Sequence, residues 1–248
     1  AGGNVYRSLD DGATWTICTG VTLNTTAQVN MNQYNSFLYM TNGIDNITIY
    51  DGTTVLTQYS TLATPGAPSA AETGLATGSA FTYYYKVARV NTIGFSAASP
   101  KNTGTVSSNL ERTQWDATTN YVTLTTPTAV AGQTRWDIYL STDDVDYYYL
   151  SSTTATNGAT STWVDDGSAI VVPSTTAPTD STAQGPLVEE LTNVGSRMYG
   201  VRDTNNRFRI WFSSANTPKG AFSSAYDGGY LDWQEGGKYI PVKVEDYR

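Results

Sequence analysis

The chain has 248 residues, more than the roughly 100 to 200 of an ordinary domain, so one large or two ordinary domains are expected; its net charge of −8 opposes non-specific attraction to phosphate backbones. Only 15% of residues are charged while 18 Tyr stand beside 6 Trp and 6 Phe, a profile of strands and turns that excludes a protein built on long helices. The absence of His excludes imidazole acid–base catalysis, His triads and His-held metals, and the single Cys18 excludes an intrachain disulfide framework and a Cys-rich zinc site.

The chain opens on Ala1-Gly2-Gly3-Asn4, which has neither the basic nor the apolar part of a signal peptide, and no run approaches the ~18 apolar residues of a transmembrane helix. It begins without Met and stops in the strand-like Ile240-Pro241-Val242-Lys243-Val244, so it reads as a soluble piece or processed product of something longer. Val5 to Ser8 and Thr14 to Cys18 flank the turn Asp10-Asp11-Gly12 as a hairpin, because Asp carboxylates accept nearby backbone N–H groups and Gly tolerates positive φ. A second hairpin joins Phe37 to Met40 with Ile47 to Tyr50 through a turn at 41–46 and ends at Asp51-Gly52.

Thr64-Pro65-Gly66-Ala67-Pro68 and the Ser, Thr and Ala-rich stretch from Pro173 through Pro178 to Pro186 read as extended linkers, since Pro fixes φ and cannot donate to a ladder. They divide the chain into 1–64, 65–183 and 184–248. The middle piece starts on a long strand, Phe81 to Val90, with a turn at Asn91-Thr92-Ile93-Gly94. A strand at Tyr121 to Leu124 follows, and Arg135 to Leu140 pairs with Asp146 to Leu150 across Ser141-Thr142-Asp143-Asp144. A last strand, Ser161 to Val164, ends at Asp165-Asp166-Gly167. Alternation in Trp136, Ile138 and Leu140 predicts one buried and one wet face, as antiparallel sandwiches have.

The third piece repeats the first: Arg197 to Val201, a turn at 203–206, and Arg207 to Ser214 match the layout of 37–52. Gly228-Gly229 and Gly236-Gly237 are turns around Tyr230-Leu231-Asp232-Trp233. Short recurring hairpins point to propeller blades or related sheet repeats, and two or three partial blades do not close a ring that typically needs four to eight. Missing sequence or partner chains must then supply the rest.

The middle piece resembles fibronectin type III-like domains of bacteriophage and bacterial surface proteins. The aromatic strand and Val90-Asn91-Thr92-Ile93-Gly94-Phe95-Ser96 carry the likeness, with Tyr139-Leu140-Ser141-Thr142-Asp143 after the Trp136 strand. One departure is Leu124-Thr125-Thr126-Pro127, where many such domains have a core Trp. Ser8-Leu9-Asp10-Asp11-Gly12-Ala13-Thr14-Trp15 is similar to the Asp-box turn of propellers, so Ser8, Asp10, Gly12 and Trp15 are expected in a structural turn. The flanks look like phage tail and neck proteins in which a β-propeller carries an immunoglobulin-like insertion. The resemblance thus implies an all-β fold of propeller-like antiparallel blades split by a fibronectin type III-like β-sandwich.

Asp-box propellers include sialidases, and that likeness would cast Arg197, Arg202, Arg207 and Arg209 with Tyr199 and Glu189 as a catalytic cluster; alternation puts Arg207 and Arg209 on one strand face, where a solvated or interface role is simpler. Asp143, Asp144 and Asp146, like Asp10-Asp11 and Asp165-Asp166, lack the spacing of an EF-hand loop and read as turn formers. Sugar-stacking candidates are Tyr83, Tyr85, Tyr147, Tyr149, Trp211 and Trp233, of which Tyr147, Tyr149, Trp211 and Trp233 are put forward as binding residues, against the general preference of strands for core aromatics. No catalytic residue, cofactor or metal is expected. The expectation is a non-enzymatic virion protein of a phage tail or neck, assembling with portal, adaptor or other tail components as a homo-oligomeric ring or tube, its sandwich domain projecting outward. Where such a ring lines a DNA passage, negative charge keeps DNA from the wall. The rivals are an extracellular glycan-binding adhesin and a sialidase-like glycosidase.

Overall fold

The computed structural model describes residues 2–75, 78, 80–215, 221–223 and 227–232. Trp233, Gly236-Gly237 and the strand expected at 240–244 lie outside them. The chain is all-β, in five antiparallel sheets, and divides into two compact units. Unit 1 takes 1–61, 92–94 and 182–248 as far as described; unit 2 takes 62–91 and 95–181.

In unit 1 the strands β1 (Val5–Arg7) and β2 (Thr16–Cys18) form a hairpin. A meander follows, β3 (Asn30–Tyr34), β4 (Phe37–Thr41), β5 (Thr48–Tyr50) and β6 (Thr57–Gln58), in sequential spatial order. The β3–β4 link is a two-residue turn with Asn35 at φ 47 and Ser36 at φ 66, the left-handed pair that matches the twist of a tight hairpin.

Unit 2 contributes β7 (Ser69–Thr73), β8 (Phe81–Val90), β9 (Val106–Ser108), β10 (Tyr121–Thr125), β11 (Arg135–Ser141), β12 (Tyr148–Thr154), β13 (Thr162–Asp165) and β14 (Val172–Thr176). A 3-10 turn at Arg112–Gln114 precedes β10. Two sheets, β13-β10-β7 and β14-β12-β11-β8-β9, enclose a core of Tyr83, Tyr85, Val87, Val122, Leu124, Trp136, Ile138 and Leu140. Leu124 is buried, and the indoles of the core come instead from Trp136 on β11 and from Trp115 beside the 3-10 turn.

Two expectations change here. The stretch around Pro173 is not a linker: Val172–Thr176 is an edge strand, pairing Tyr148 with Thr176 but Tyr149 with Val172. The skipped residues include Pro173, so the residue that cannot donate sits in a bulge on an edge, where its missing N–H costs no ladder bond. Nor does β11 have a wet face. Asp137 and Tyr139 are buried as well, and a second cluster of Ala88, Tyr139 and Tyr147, with Tyr84 and Tyr149 at its margin, lies on the outer side. Arg135 Nε donates to Asp137 at 2.8 Å and offsets the burial that raises that carboxyl.

The chain returns to unit 1 as β15 (Glu190–Val194), β16 (Arg197–Val201), β17 (Arg209–Phe212) and β18 (Gly229–Asp232), again a four-stranded meander in sequential order. The two meanders share one design. Asn30↔Thr41 through Tyr34↔Phe37 in the first corresponds to Glu190↔Val201 through Val194↔Arg197 in the second. Ser36 matches Ser196 and Tyr39 matches Tyr199.

Register and alternation give each sheet two faces. One face of the first meander, with Asn32, Tyr34, Tyr39 and Ile49, packs on the Leu191, Met198 and Trp211 face of the second. Asn32 Nδ2 donates to Asn193 Oδ1 at 2.7 Å and Asn30 Nδ2 to the Glu189 carbonyl at 2.8 Å, closing the seam between β3 and β15. The opposite face of the first meander, with Met40 and Tyr50, packs on Val5 and Cys18 of the hairpin. Arg7 Nη1 donates to the Gly52 carbonyl across that joint. Hairpin and meanders therefore stack in one sense, each joint using opposite faces of successive sheets.

Candidate functional site

The Ser8–Trp15 turn is held as its sequence predicts. Ser8 Oγ donates to Asp10 Oδ1 at 2.8 Å and accepts from Gly12 N at 2.8 Å, while Thr14 donates to Asp10 through its N–H at 2.9 Å and its hydroxyl at 2.6 Å. These donors, the Thr14 hydroxyl first, hold the Asp10 carboxyl down at about 2. Asp11 (φ 54) and Gly12 (φ 89) take the left-handed positions. The β11–β12 connection in unit 2 repeats the device. Ser141 Oγ donates to Asp143 Oδ1 at 2.8 Å and accepts from Asp144 N, Asp144 stands at φ 62, and Asp143 accepts from Val145 and Asp146 N–H groups, which lower its pKa. Ser-x-Asp-Asp is the shared signal, readable in the sequence but not singled out there. The carboxylates are spent on backbone donors, and no group of three or more metal-ligating side chains occurs among the described residues.

Of the sugar-stacking candidates, Tyr147 is 4% exposed. Its hydroxyl donates to Asp144 Oδ1 at 2.5 Å, Lys86 Nζ lies 4.1 Å from its ring centre, and burial, then the Asp144 bond, pushes its hydroxyl pKa up. Tyr149 is half-buried and meets Tyr139 edge-on at 6.0 Å. Nearby, Lys101 pairs with Asp144 and sits 4.9 Å above the Tyr84 ring. Lys101, Tyr84, Tyr83 and Asn102 line a cleft of ≈ 380 Å³. Its polar groups already have partners: Asn102 Oδ1 accepts from Tyr85 N and Nδ2 donates to the Gly104 carbonyl, and Tyr83 Oη accepts from Arg112 N.

Trp211 is half-buried in the joint between the meanders, its Nε1 donating to Asp203 Oδ2 at 2.8 Å, and it meets Tyr230 edge-on at 5.1 Å with the Arg209 guanidinium 3.5 Å from the Tyr230 ring centre. The cations of this segment do not converge. Arg209 pairs with Asp232, Arg202 with Glu189 and Glu190, and Arg197 with Asp227, while Tyr199 and Arg209 lie on opposite faces of their sheet. Arg207 falls in the turn before β17, which starts at Arg209, so the two do not share a strand face as alternation predicted. The bond from Arg209 N to the Asn206 carbonyl closes that turn.

Among the described residues, the faces of unit 1 on which no other sheet packs are the two ends of its stack. On the outer side of the hairpin, Tyr6 faces Ile17 and both are exposed, at 47% and 43%, with Trp15 beside them at 64%. On the outer side of the second meander, Tyr199 faces Phe212 and both are only partly covered, and Leu231 is 60% exposed. Tyr39, which holds the place of Tyr199 in the first meander, is fully buried. Sequence reasoning found the strands of these ends, β1, β2, β16 and β17, but missed the ends themselves, because which face of a sheet is covered depends on how sheets pack on one another, and β3 and β15, which form the seam, were not found. The residues Met31, Gln33, Thr192 and Asn193 mix polar and apolar side chains on both faces and give no period-2 signal. Compared with protein-family models, curated proteins and solved structures, the chain matches none.

Proposed function

We propose that the chain is a non-enzymatic structural component of a bacteriophage tail or neck, acting through protein–protein contacts in a ring or tube with portal, adaptor or other tail proteins. The observation that carries the reading is the stack of unit 1, whose two end faces have no further sheet over them among the described residues: Tyr6, Ile17 and Trp15 are exposed at one end, and Tyr199, Phe212 and Leu231 at the other are half-buried or exposed, with the Arg197 guanidinium 5.5 Å from the Phe212 ring centre. A stack of sheet repeats that ends in water carries polar outer faces on its terminal repeats, so the large apolar side chains left on these two ends mark contact surfaces. The propeller-like reading draws on four-stranded meanders stacked in one sense. The fibronectin type III-like reading draws on the order β9-β8-β11-β12 opposite β7-β10, from which β13 beside β10 and β14 beyond β12 depart. The phage assignment rests on the sequence resemblance. Mass spectrometry of gradient-purified particles tests it: peptides of this chain at a fixed ratio to capsid protein are expected, and their absence from particles overturns it.

One observation favours a glycan-binding reading, the cleft beside Tyr84 and Lys101. A polysaccharide array whose signal falls on Tyr84→Ala would support that reading, and an array without signal would discard it.

A further inference from the structure

The internal joints of unit 1 show how one of its sheets receives the next. The face of the first meander centred on Tyr39 is covered by the Leu191, Met198 and Trp211 face of the second. The same positions of the second meander, Tyr199 and the facing Phe212 with Leu231 alongside, have no further sheet over them among the described residues. At the other end, the hairpin covers the first meander with Val5 and Cys18 and turns Tyr6, Ile17 and Trp15 outward. One end therefore offers the type of face that receives a sheet, and the other offers the outer face of a sheet that needs a receiver. These surfaces belong to opposite ends of one stack, and their pairing continues the order already present inside the chain.

Resting on the assembly reading above, we infer that unit 1 binds a second copy of this chain head to tail, the Tyr199, Phe212 and Leu231 face of one copy seating the Tyr6, Ile17 and Trp15 face of the next. Such a contact is heterologous, so each copy keeps one free end until the assembly closes as a ring or extends as a filament. A net charge of −8 per chain repels copies at long range, so association depends on these apolar faces and strengthens with added salt.

The test uses the full chain and two variants, Leu231→Lys at one end and Ile17→Lys at the other, both at exposed positions, with circular dichroism to check that each folds. Sedimentation of the unaltered chain is expected to show assemblies larger than a dimer. Each variant alone should associate at least about tenfold more weakly, as when a central interface anchor is lost. An equimolar mixture of the two should give dimers and nothing larger, since it contains one intact joint of each head-to-tail pair. A chain that stays monomeric up to its solubility limit overturns the inference, as does an assembly insensitive to one of the two variants, which marks a two-fold contact through a single face. Should either variant misfold, Tyr6→Lys and Tyr199→Lys repeat the test. A monomeric chain found in purified particles would refute the head-to-tail contact and leave the virion reading standing; a head-to-tail oligomer absent from particles would do the reverse.

Discussion

Tyr85→Phe removes one hydroxyl from the interior of unit 2, and the structure sets the size of the loss. Asp165 is fully buried and accepts from four donors: Arg112 Nε at 2.9 Å, Arg112 Nη2 at 2.7 Å, Gly167 N at 3.1 Å and Tyr85 Oη at 2.8 Å. A hydrogen bond to a charged group contributes about 1.5–3 kcal/mol, and because the other donors remain, the lower end applies, about 1.5 kcal/mol. Arg112→Met removes the cation instead and leaves a buried carboxylate with only Tyr85 and Gly167, a loss of about 3–5 kcal/mol. At roughly 2–8 °C per kcal/mol, Tyr85→Phe should lower the calorimetric transition of unit 2 by about 5 °C and Arg112→Met by two to three times as much. A Tyr85→Phe shift equal to or larger than that of Arg112→Met would refute the assignment of the carboxylate's main partner. So would two shifts both below about 1 °C, the range of an ordinary surface substitution.

The Asp10 turn should be sensitive to acid. Its carboxyl is lowered from 3.8 to about 2, so its contribution is complete above 3.8 and disappears as pH falls through about 2; carboxyl NMR should place its midpoint there, and Asp10→Asn should remove the pH dependence of hairpin order in that window, whereas a midpoint near 3.8 contradicts the bonds described. Gly167 and Gly132 should separate in chemical denaturation. Both have φ near +80, but a Cβ at Gly167 would stand 2.0 Å from the Arg112 carbonyl oxygen while one at Gly132 meets nothing within 4 Å, so Gly132→Ala should cost about 1 kcal/mol and Gly167→Ala at least twice that. Trp136 is fully buried and its Nε1 has no acceptor among the described residues, so Trp136→Phe should cost less than about 1.5 kcal/mol against about 3–5 kcal/mol for Trp136→Ala; equal costs would mean the indole N–H has a partner.

Much of the fold is readable in the chain because its signals are local. Phe81–Val90 has long aromatic and β-branched content, Asp10-Asp11-Gly12 carries its own turn chemistry, and the likeness of 37–52 to 197–214 is a likeness of spacing. What local reading does not find depends on partners distant in sequence. β14 is a strand only because Tyr148 and Tyr149 offer it an edge, and Pro173 in isolation argues for a linker. β3 and β15 escape a period-2 reading because the faces they turn to each other carry polar residues for the seam between meanders, where Asn32 bonds to Asn193. The aromatic candidates were visible as residues but not as a surface. Tyr147 is absorbed by Asp144 and Lys86, and the open ends of the stack emerge only once the packing of one meander on the other covers Tyr39 and leaves the equivalent Tyr199 half-buried.

Cross-linking in solution tests the head-to-tail stack most directly, because Cys18, the chain's single cysteine, is buried at 3% exposure and leaves engineered thiols as the reactive ones. With Tyr6→Cys and Leu231→Cys in the same chain, a short bismaleimide should join copies into a ladder of multimers or a closed ring, while either substitution alone yields monomers. No ladder from the double variant, or dimers formed as readily by one single variant as by the double, would contradict it.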